Sequence, residues 1–205
     1  MKIYKLILFC SIFFSCSILF AQNSDSALFR LKNSNAITIT GGFKANSKTV
    51  VTTNHNDVNL ETGFVGTISY NRWFKEDWCI EFTAGIFGSK TNVESYETST
   101  EAIVPLLFGI GYYPDIMAAE MRPYCKLDGG VFIGSAVKTK ANNTETTVET
   151  VLGGRVSFGL DIFLAECFKL GPSFSYYFMA DFEEVVEDKE NFSGAAFELN
   201  FGFVF

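Results

Sequence analysis

Residues Ala195 to Phe205 read A-A-F-E-L-N-F-G-F-V-F, and this stretch decides the fold class. Large apolar side chains occupy every second position, and mostly small, polar or charged residues alternate with them. A period of two is typical of a β-strand, because successive side chains point to opposite faces. One face is therefore apolar and aromatic, and the other carries Glu198 and Asn200. Such a strand fits a wall with lipid on one side and a filled lumen on the other.

The amino terminus has the pattern of an export signal. Two lysines in the first five residues precede an apolar run that ends at Phe20, and Ala21 is a small residue that suits a cleavage site. This arrangement predicts a signal peptide over residues 1–21 and one domain over residues 22–205. A membrane anchor is the alternative, but the run is short for a spanning helix. The residues before Cys16 fit a lipidation site poorly.

Charge and cysteine content limit the possible partners. Without the signal the chain has 14 basic and 23 acidic residues, a net charge of −9, which argues against nucleic acid or anionic lipid held by net charge. Cys79, Cys125 and Cys167 have no metal-ligand spacing, so we interpret them as packing residues and expect no cofactor. A disulfide between Cys79 and Cys167 is the alternative. No later apolar run is long enough to predict a transmembrane helix.

Alternating segments recur along the chain and predict eight strands. They are expected at about residues 35–44, 60–72, 78–87, 102–113, 124–134, 151–164, 168–179 and 195–205. The polar segments 45–57, 88–100, 135–149 and 180–192 are predicted to be long loops, and the other connections are shorter. One of these, 114–122, is expected to hold one helical turn. Long loops at one end and short turns at the other are typical of an outer-membrane barrel.

The distribution of charge between the two strand faces predicts which face meets lipid. No Asp, Glu, Lys or Arg lies on an apolar face except Arg72, at a strand end. A soluble barrel has the opposite polarity. We therefore predict an all-β fold, an eight-stranded antiparallel up-and-down transmembrane β-barrel, with a soluble secreted ligand-binding barrel as the rival. The inward charges predicted to pair across the lumen are Glu61, Glu81, Lys126, Asp128, Arg155, Asp161, Lys169 and Glu198.

Some residues do not follow the pattern. Pro105 and Pro172 fall inside predicted strands, although a closed barrel has no free edge for a missing N–H. Gly171 and Pro172 together predict a β-bulge that shifts the facing of part of the seventh strand. Five apolar side chains on the inward register either fill the lumen or indicate an error in the register: Phe87, Ile103, Leu107, Phe132 and Phe163.

The chain resembles the small outer-membrane β-barrel family of Gram-negative bacteria, the eight-stranded, porin-like proteins grouped with the OmpA membrane domain, OmpX and OmpW. The resemblance rests on the start M-K-I-Y-K…L-F-A-Q, the alternating strands and the terminal F-E-L-N-F-G-F-V-F, and it covers nearly the whole mature chain. It implies a monomer in the cell outer membrane, in contact with outer-membrane lipid and lipopolysaccharide. It also implies an assembly signal for the barrel-assembly machinery at Phe201, Phe203 and Phe205. The family includes adhesins, structural proteins, narrow conduits and a few lipid-modifying enzymes, so the resemblance selects no function.

The single histidine and the narrow interior limit the chemistry that this barrel can perform. Barrel hydrolases use a Ser–His–acid set, but the only histidine, His55 in T-N-H-N-D, is predicted to lie in a solvated loop beside Asp57, so we expect no enzyme. Eight strands enclose an interior that side chains just fill, so we expect a plugged lumen and a structural or surface-interaction role. The alternative is an OmpW-like conduit for small apolar solutes.

The acidic segment 181–190 is the one weak metal candidate. Its spacing does not match the calcium loop D-x-[DN]-x-[DN]-G, so we predict a solvated loop and no metal site. Weak Ca²⁺ or Mg²⁺ binding is the alternative. The carboxylates that would supply it are Asp181, Glu183, Glu184, Glu187 and Asp188.

Overall fold

Eight antiparallel strands close into a barrel in the computed structural model of the protein. Each strand pairs with its neighbour in chain order, and β1 pairs with β8. This confirms the predicted all-β, eight-stranded antiparallel fold. The strands are β1 Asn35–Thr52, β2 His55–Trp73, β3 Trp78–Glu94, β4 Glu97–Tyr112, β5 Met121–Lys140, β6 Asn143–Ala165, β7 Phe168–Met179 and β8 Gly194–Val204.

The structure describes most of the chain. Backbone is described for residues 31–52, 55–94, 97–115, 120–140, 143–165, 167–182 and 192–205, and side chains for 31–45, 63–87, 102–115, 120–135, 146–164, 167–182 and 192–205. Within these ranges no helix is long and apolar enough to cross a membrane. The predicted signal peptide lies outside the described residues, as do residues 116–119 of the connection predicted to hold a helical turn. Residues 121–122 of that connection belong to β5.

The two faces of the wall differ as predicted. Exposed large apolar side chains occur on the outside of every strand, and the charged side chains of the strand interiors are buried inside. In β8 the exposed Phe197, Leu199, Phe201 and Phe203 alternate with buried residues along the whole strand. Arg72 is exposed at the end of β2, where its guanidinium donates to Asn35 Oδ1 at 3.2 Å.

Three of the four predicted long loops are wrong, because the strands continue through them. The β1–β2 ladder runs to Thr52↔His55, the β3–β4 ladder to Glu94↔Glu97, and the β5–β6 ladder to Lys140↔Asn143. These segments are rich in Thr and Asn and lack an apolar face. Backbone hydrogen bonds along the ladder maintain such a hairpin without an apolar face, so apolar alternation does not mark it.

The predicted bulge at Gly171 and Pro172 is also wrong. Lys169, Gly171 and Ser173 are all buried, so the inward face of β7 continues without a shift. Pro172 lacks an N–H, and the β6–β7 ladder has no pair between Gly159↔Ser173 and Ile162↔Leu170. Each strand has two residues in this gap, so neither strand contains an inserted residue. Register shifts occur instead between Phe87 and Lys90 on β3 and between Phe163 and Ala165 on β6.

Gly171 is required by the close approach of β6 and β7. A Cβ built at this position would lie 1.6 Å from the carbonyl oxygen of Leu160, so the two strands would have to separate. We expect Gly171→Ala to lower the free energy of unfolding by about 1–3 kcal/mol, the usual range for overpacking. The measurement is a urea titration of the refolded barrel. Gly41→Ala is the matched control, since a Cβ there meets nothing within 4 Å. Equal midpoints for the two variants would contradict the prediction.

Candidate functional site: the lumen

The lumen contains a polar layer between two apolar layers. We call the end where the hairpins β1–β2, β3–β4 and β5–β6 protrude the hairpin end, and the end with Asn35 and Phe205 the terminus end. The outer plug, at the hairpin end, consists of Val65, Phe87, Ile103, Leu107, Phe132, Val151, Tyr177, Met179, Phe182 and Ala196. The inner plug, at the terminus end, consists of Leu31, Ala36, Trp73, Cys79, Tyr113, Tyr124, Phe163 and Val204.

The outer plug explains four of the five apolar residues on the inward register, and the inner plug explains Phe163. Phe87 packs edge-on against Tyr177 with ring centroids 4.7 Å apart, and against Phe132 at 5.9 Å. Phe87, Ile103, Leu107, Phe132 and Phe163 are all buried inside the barrel. They therefore fill the lumen, and the register is correct.

Arg155 is the centre of the main charge cluster in the polar layer. Its guanidinium donates to Glu81 and, at 2.8 Å, to Asp128 Oδ2. Lys126, on β5, also donates to Glu81, with Nζ 2.5 Å from Oε2. Asn71 and Thr83 also donate to Glu81. Two cations and two carboxylates thus form a neutral cluster with little contact with water.

Asp161 and Lys169 form a second ion pair near the inner plug. Their Oδ2 and Nζ atoms are 2.7 Å apart, and the Tyr113 hydroxyl donates to the same oxygen at 3.3 Å. The Lys169 ammonium also lies 5.6 Å from the ring centroid of Trp73. This pair connects the polar layer to the aromatic rings of the inner plug.

Glu198, on β8, is held by hydroxyl groups. Tyr177 donates to its Oε1 at 2.7 Å, and Ser175 donates to its Oε2. The neighbouring Asn200 accepts from Thr40 at 2.7 Å and donates to Tyr124 at 2.9 Å. These bonds join β1, β5, β7 and β8 across the lumen.

Pairing explains how the barrel tolerates buried charge. Removing an ion from water is costly unless an opposite charge and hydrogen bonds replace the water. Of the eight charges predicted for the lumen, the structure brings Glu81, Lys126, Asp128 and Arg155 into one cluster and Asp161 and Lys169 into a pair. Glu198 is buried beside them, and the side chain of Glu61 lies outside the described residues.

The predicted charge network left out Lys44 and Arg122, and the predicted acidic loop did not place Phe182 and Phe192 at the lumen. Lys44 donates to the Phe192 carbonyl and lies over the Phe87 ring at 5.3 Å. Arg122, predicted in a connection, belongs to β5 and pairs with Asp115 at 3.1 Å. Phe182 and Phe192 pack edge-on at 6.0 Å at the two ends of the β7–β8 connection, and Phe182 is part of the outer plug. The only sequence signal for the last two was their position at the ends of an acidic segment.

The polar layer leaves almost no free space. The cavity there has a volume of about 10 Å³ and is lined by polar and charged side chains, including Glu81, Arg155, Asp161, Lys169 and Glu198. A space of this size holds about one water molecule. The arrangement therefore fills the barrel with side chains and provides no binding pocket for a larger molecule in the described part of the lumen.

Other predicted sites are only partly described. The side chain of His55 and four of the five candidate carboxylates of the acidic segment lie outside the described residues, and Asp181 is exposed. No group of three or more His, Cys, Asp or Glu that could hold a metal occurs in the part of the chain covered by the structure. Cys79, Cys125 and Cys167 are free thiols. Phe201, Phe203 and Phe205 are exposed on the outer face.

Comparisons with known structures identify the fold. No protein-family model and no curated protein matches the chain. The chain is similar to the crystal structure of Ail, the attachment invasion locus protein of Yersinia pestis, at 15% identity and a TM-score of 0.54, over 85% of this chain and 99% of Ail. Neisserial surface protein A is similar at 14% identity and a TM-score of 0.55, over 83% of this chain and 95% of that protein. The outer membrane protein OprG of Pseudomonas aeruginosa is similar at 11% identity and a TM-score of 0.53, over 87% of this chain and 99% of OprG. These likenesses confirm the predicted resemblance at the level of the fold, which is that of small eight-stranded outer-membrane barrels.

Proposed function

We propose that this protein, which has the fold of outer-membrane barrels, is an integral protein of the bacterial outer membrane without catalytic activity. Its closed body anchors the three long hairpins, and its role is structural or consists of contacts made by those hairpins. In this orientation the hairpin end is extracellular and the terminus end is periplasmic. Membrane lipid covers the outer wall, and lipopolysaccharide surrounds the hairpin end.

The outer wall carries this proposal. Ile39, Phe43, Phe82, Phe108 and Leu199 are between 52% and 68% exposed, and large apolar side chains of this kind cover all eight strands. Monomeric soluble proteins rarely expose apolar patches of more than a few hundred Å². A hydrocarbon environment accounts for this surface, whereas the soluble secreted barrel proposed as the rival would expose it to water.

Aromatic side chains at the terminus end support the same placement. Trp78 and Tyr112 pack with ring centroids 4.8 Å apart, and the Tyr70 hydroxyl donates to Asn35 at 2.7 Å. Trp and Tyr are enriched where a membrane meets water, because their rings are apolar and their N–H or O–H groups are polar. Phe201, Phe203 and Phe205 remain our candidate signal for the barrel-assembly machinery.

Cell fractionation tests the proposed location. We expect the protein in the outer-membrane fraction after carbonate washing, with a folded band that shifts to an unfolded position when the sample is boiled. A soluble periplasmic protein of the same cells is the control for washing. Release of the protein by carbonate, without two bands on the gel, would contradict the proposal.

The filled lumen supports a barrel that is closed to ions. Both apolar plugs and the ion-paired layer lie in series along the axis, and the cavity between the plugs has a volume of about 10 Å³. We expect no steady unitary current in planar bilayers, because an ion would have to lose its hydration shell within this packed interior. Heat-modifiable mobility of protein recovered from the same proteoliposomes is the control for folding. A reproducible conductance would favour the conduit over the closed barrel.

A further inference from the structure

The small cavity of the polar layer lies beside a carboxylate that forms no ion pair. Glu198 is 1% exposed and lines this cavity. In the described part of the lumen the ion pairs use the carboxylates of Glu81, Asp128 and Asp161, and none of them includes Glu198. A buried charge needs an opposite charge as well as hydrogen bonds, so Glu198 is a candidate ligand for a bound cation.

The hydrogen bonds of Glu198 are those of an ionised carboxylate. Tyr177 donates to its Oε1 at 2.7 Å, Ser175 donates to its Oε2, and the Ser173 hydroxyl donates to the same Oε2 at 3.5 Å. An ionised carboxylate accepts at both oxygens, whereas a protonated carboxyl group uses one oxygen as a donor. Both oxygens of Glu198 are acceptors here, so its negative charge still requires a cation.

Asp161 lines the same cavity and has an oxygen without a hydrogen-bond partner. Its Oδ2 accepts from Lys169 at 2.7 Å and from Tyr113 at 3.3 Å. Its Oδ1 is buried and accepts from no described group, although the residue is only 1% exposed. A buried acceptor without a partner is costly, and a ligand in the adjoining cavity would remove that cost.

The polar layer contains one more negative than positive charge. Its four carboxylates and three cations are Glu81, Asp128, Asp161 and Glu198 against Lys126, Arg155 and Lys169. Each of these cations is already bonded to a carboxylate other than Glu198. The two other buried cations lie outside the layer, since Lys44 donates to the Phe192 carbonyl beside the outer plug and Arg122 pairs with Asp115. A water molecule in the cavity would leave the excess charge uncompensated, whereas a monovalent cation would balance it.

The size and the lining of the cavity define the chemistry of its ligand. The volume of about 10 Å³ holds one water-sized particle. Ser173, Ser175 and Asn200 line it beside the two carboxylates, and all of them offer oxygen, the ligand that hard cations take. Ca²⁺ takes about six to eight oxygen ligands and Mg²⁺ usually keeps several waters, so both need more room. A bare Na⁺ ion is smaller than a water molecule and carries a single charge.

We propose that the cavity binds one small monovalent cation, of the size of sodium, between Glu198 and the free Oδ1 of Asp161. Glu198 supplies the opposite charge, and the hydroxyl oxygens of Ser173 and Ser175 complete the site. The ion is taken up as the barrel closes and stays fixed between the two plugs, so it stabilises the fold and carries no current. The proposal does not depend on the proposed location, because all of these ligands lie inside the barrel.

Unfolding at different sodium concentrations tests the site. The barrel is refolded in detergent micelles and unfolded in urea, and choline chloride keeps the total salt constant because choline is too large for the cavity. Above the Kd, the unfolding equilibrium constant should fall about tenfold for each tenfold rise in sodium, since one ion is released on unfolding. An equilibrium constant that does not change with sodium would overturn the proposal and leave a water molecule as the occupant.

Two carboxylate variants locate the ion. Glu198→Gln keeps the shape of the side chain and removes its charge, so the sodium dependence should be lost. Asp115→Asn is the matched control, because it makes the same change in a side chain that is 61% exposed and does not line the cavity, and it should keep the dependence. Equal sodium dependence in Glu198→Gln and the unchanged protein would contradict the assignment to Glu198. Heat-modifiable mobility shows whether each variant has folded, and if Glu198→Gln does not fold, the titration of the unchanged protein still decides whether an ion binds.

Discussion

Replacing Arg155 with methionine is expected to lower the free energy of unfolding by about 3–5 kcal/mol, the range observed when one partner of a buried ion pair is removed. Arg155 bonds to both Glu81 and Asp128, and all three side chains are nearly inaccessible to water. In the variant, Glu81 keeps Lys126, but Asp128 loses the cation to which it is bonded. An unpaired carboxylate in this position is the physical cause of the loss.

The double variant Arg155→Met/Asp128→Asn separates charge from packing. It contains one cation and one carboxylate in the cluster, as a pair, so we expect it to recover most of the stability lost in Arg155→Met. Replacement of both members of a buried pair is often nearly neutral. Urea titrations of the refolded barrel, followed by the fluorescence of Trp73 and Trp78, provide the measurement. If both variants are equally destabilised, the lost volume of Arg155 and not the unpaired charge is responsible.

The facing of the strands was predictable because the two faces of the wall differ in residue type. Leu199 and Glu198 are adjacent in sequence, yet Leu199 is 58% exposed and Glu198 is 1% exposed. A change of one residue in register would move Glu198 to the apolar outer face, which strongly disfavours alternatives. The local alternation of residue types therefore contains the information about the number of strands, their order and the direction in which their side chains face.

The protruding parts of the hairpins were not predictable in the same way. Thr146, Val148 and Thr150 alternate with polar residues but stand in a segment without a large apolar face. Their strand conformation follows from pairing with β5, and the length of a ladder depends on both of the paired segments.

The lumen was predictable in composition but not in its contacts. The period of two placed Glu81 and Arg155 inside the barrel, although 74 positions separate them, and their contact depends on how the closed sheet brings β3 and β6 together. Phe182 illustrates the second difficulty. It lies in a polar connection with no periodicity, and its burial in the outer plug follows from the shape of the barrel mouth.

Placing an arginine at Ile68 is expected to lower the free energy of unfolding in lipid bilayers by about 2–4 kcal/mol, the cost of a basic side chain near the bilayer centre on the lipid face. Ile68 is 52% exposed on the outside of β2 and pairs with Ile39 and Ala84 on the neighbouring strands. Among the side chains of these three strands that the structure describes, no carboxylate lies on the outer face. The side chain would therefore have to reach along the wall towards the membrane surface.

Arg72 supplies a control from the same face of the same strand. It lies four residues from Ile68, about 13 Å along the strand, where it is exposed and bonds to Asn35. We expect Arg72→Ile to change the stability by about 1 kcal/mol or less, because charge near the interface has little cost. Both variants are compared by urea titration in phosphatidylcholine vesicles and again in detergent micelles, where the penalty for Ile68→Arg should be smaller because detergent and water reach the arginine more easily. Equal losses in the free energy of unfolding for Ile68→Arg and Arg72→Ile in vesicles would mean that the cost of a charge on the outer face of β2 does not depend on its position along the strand. The proposed lipid-facing wall would then be wrong.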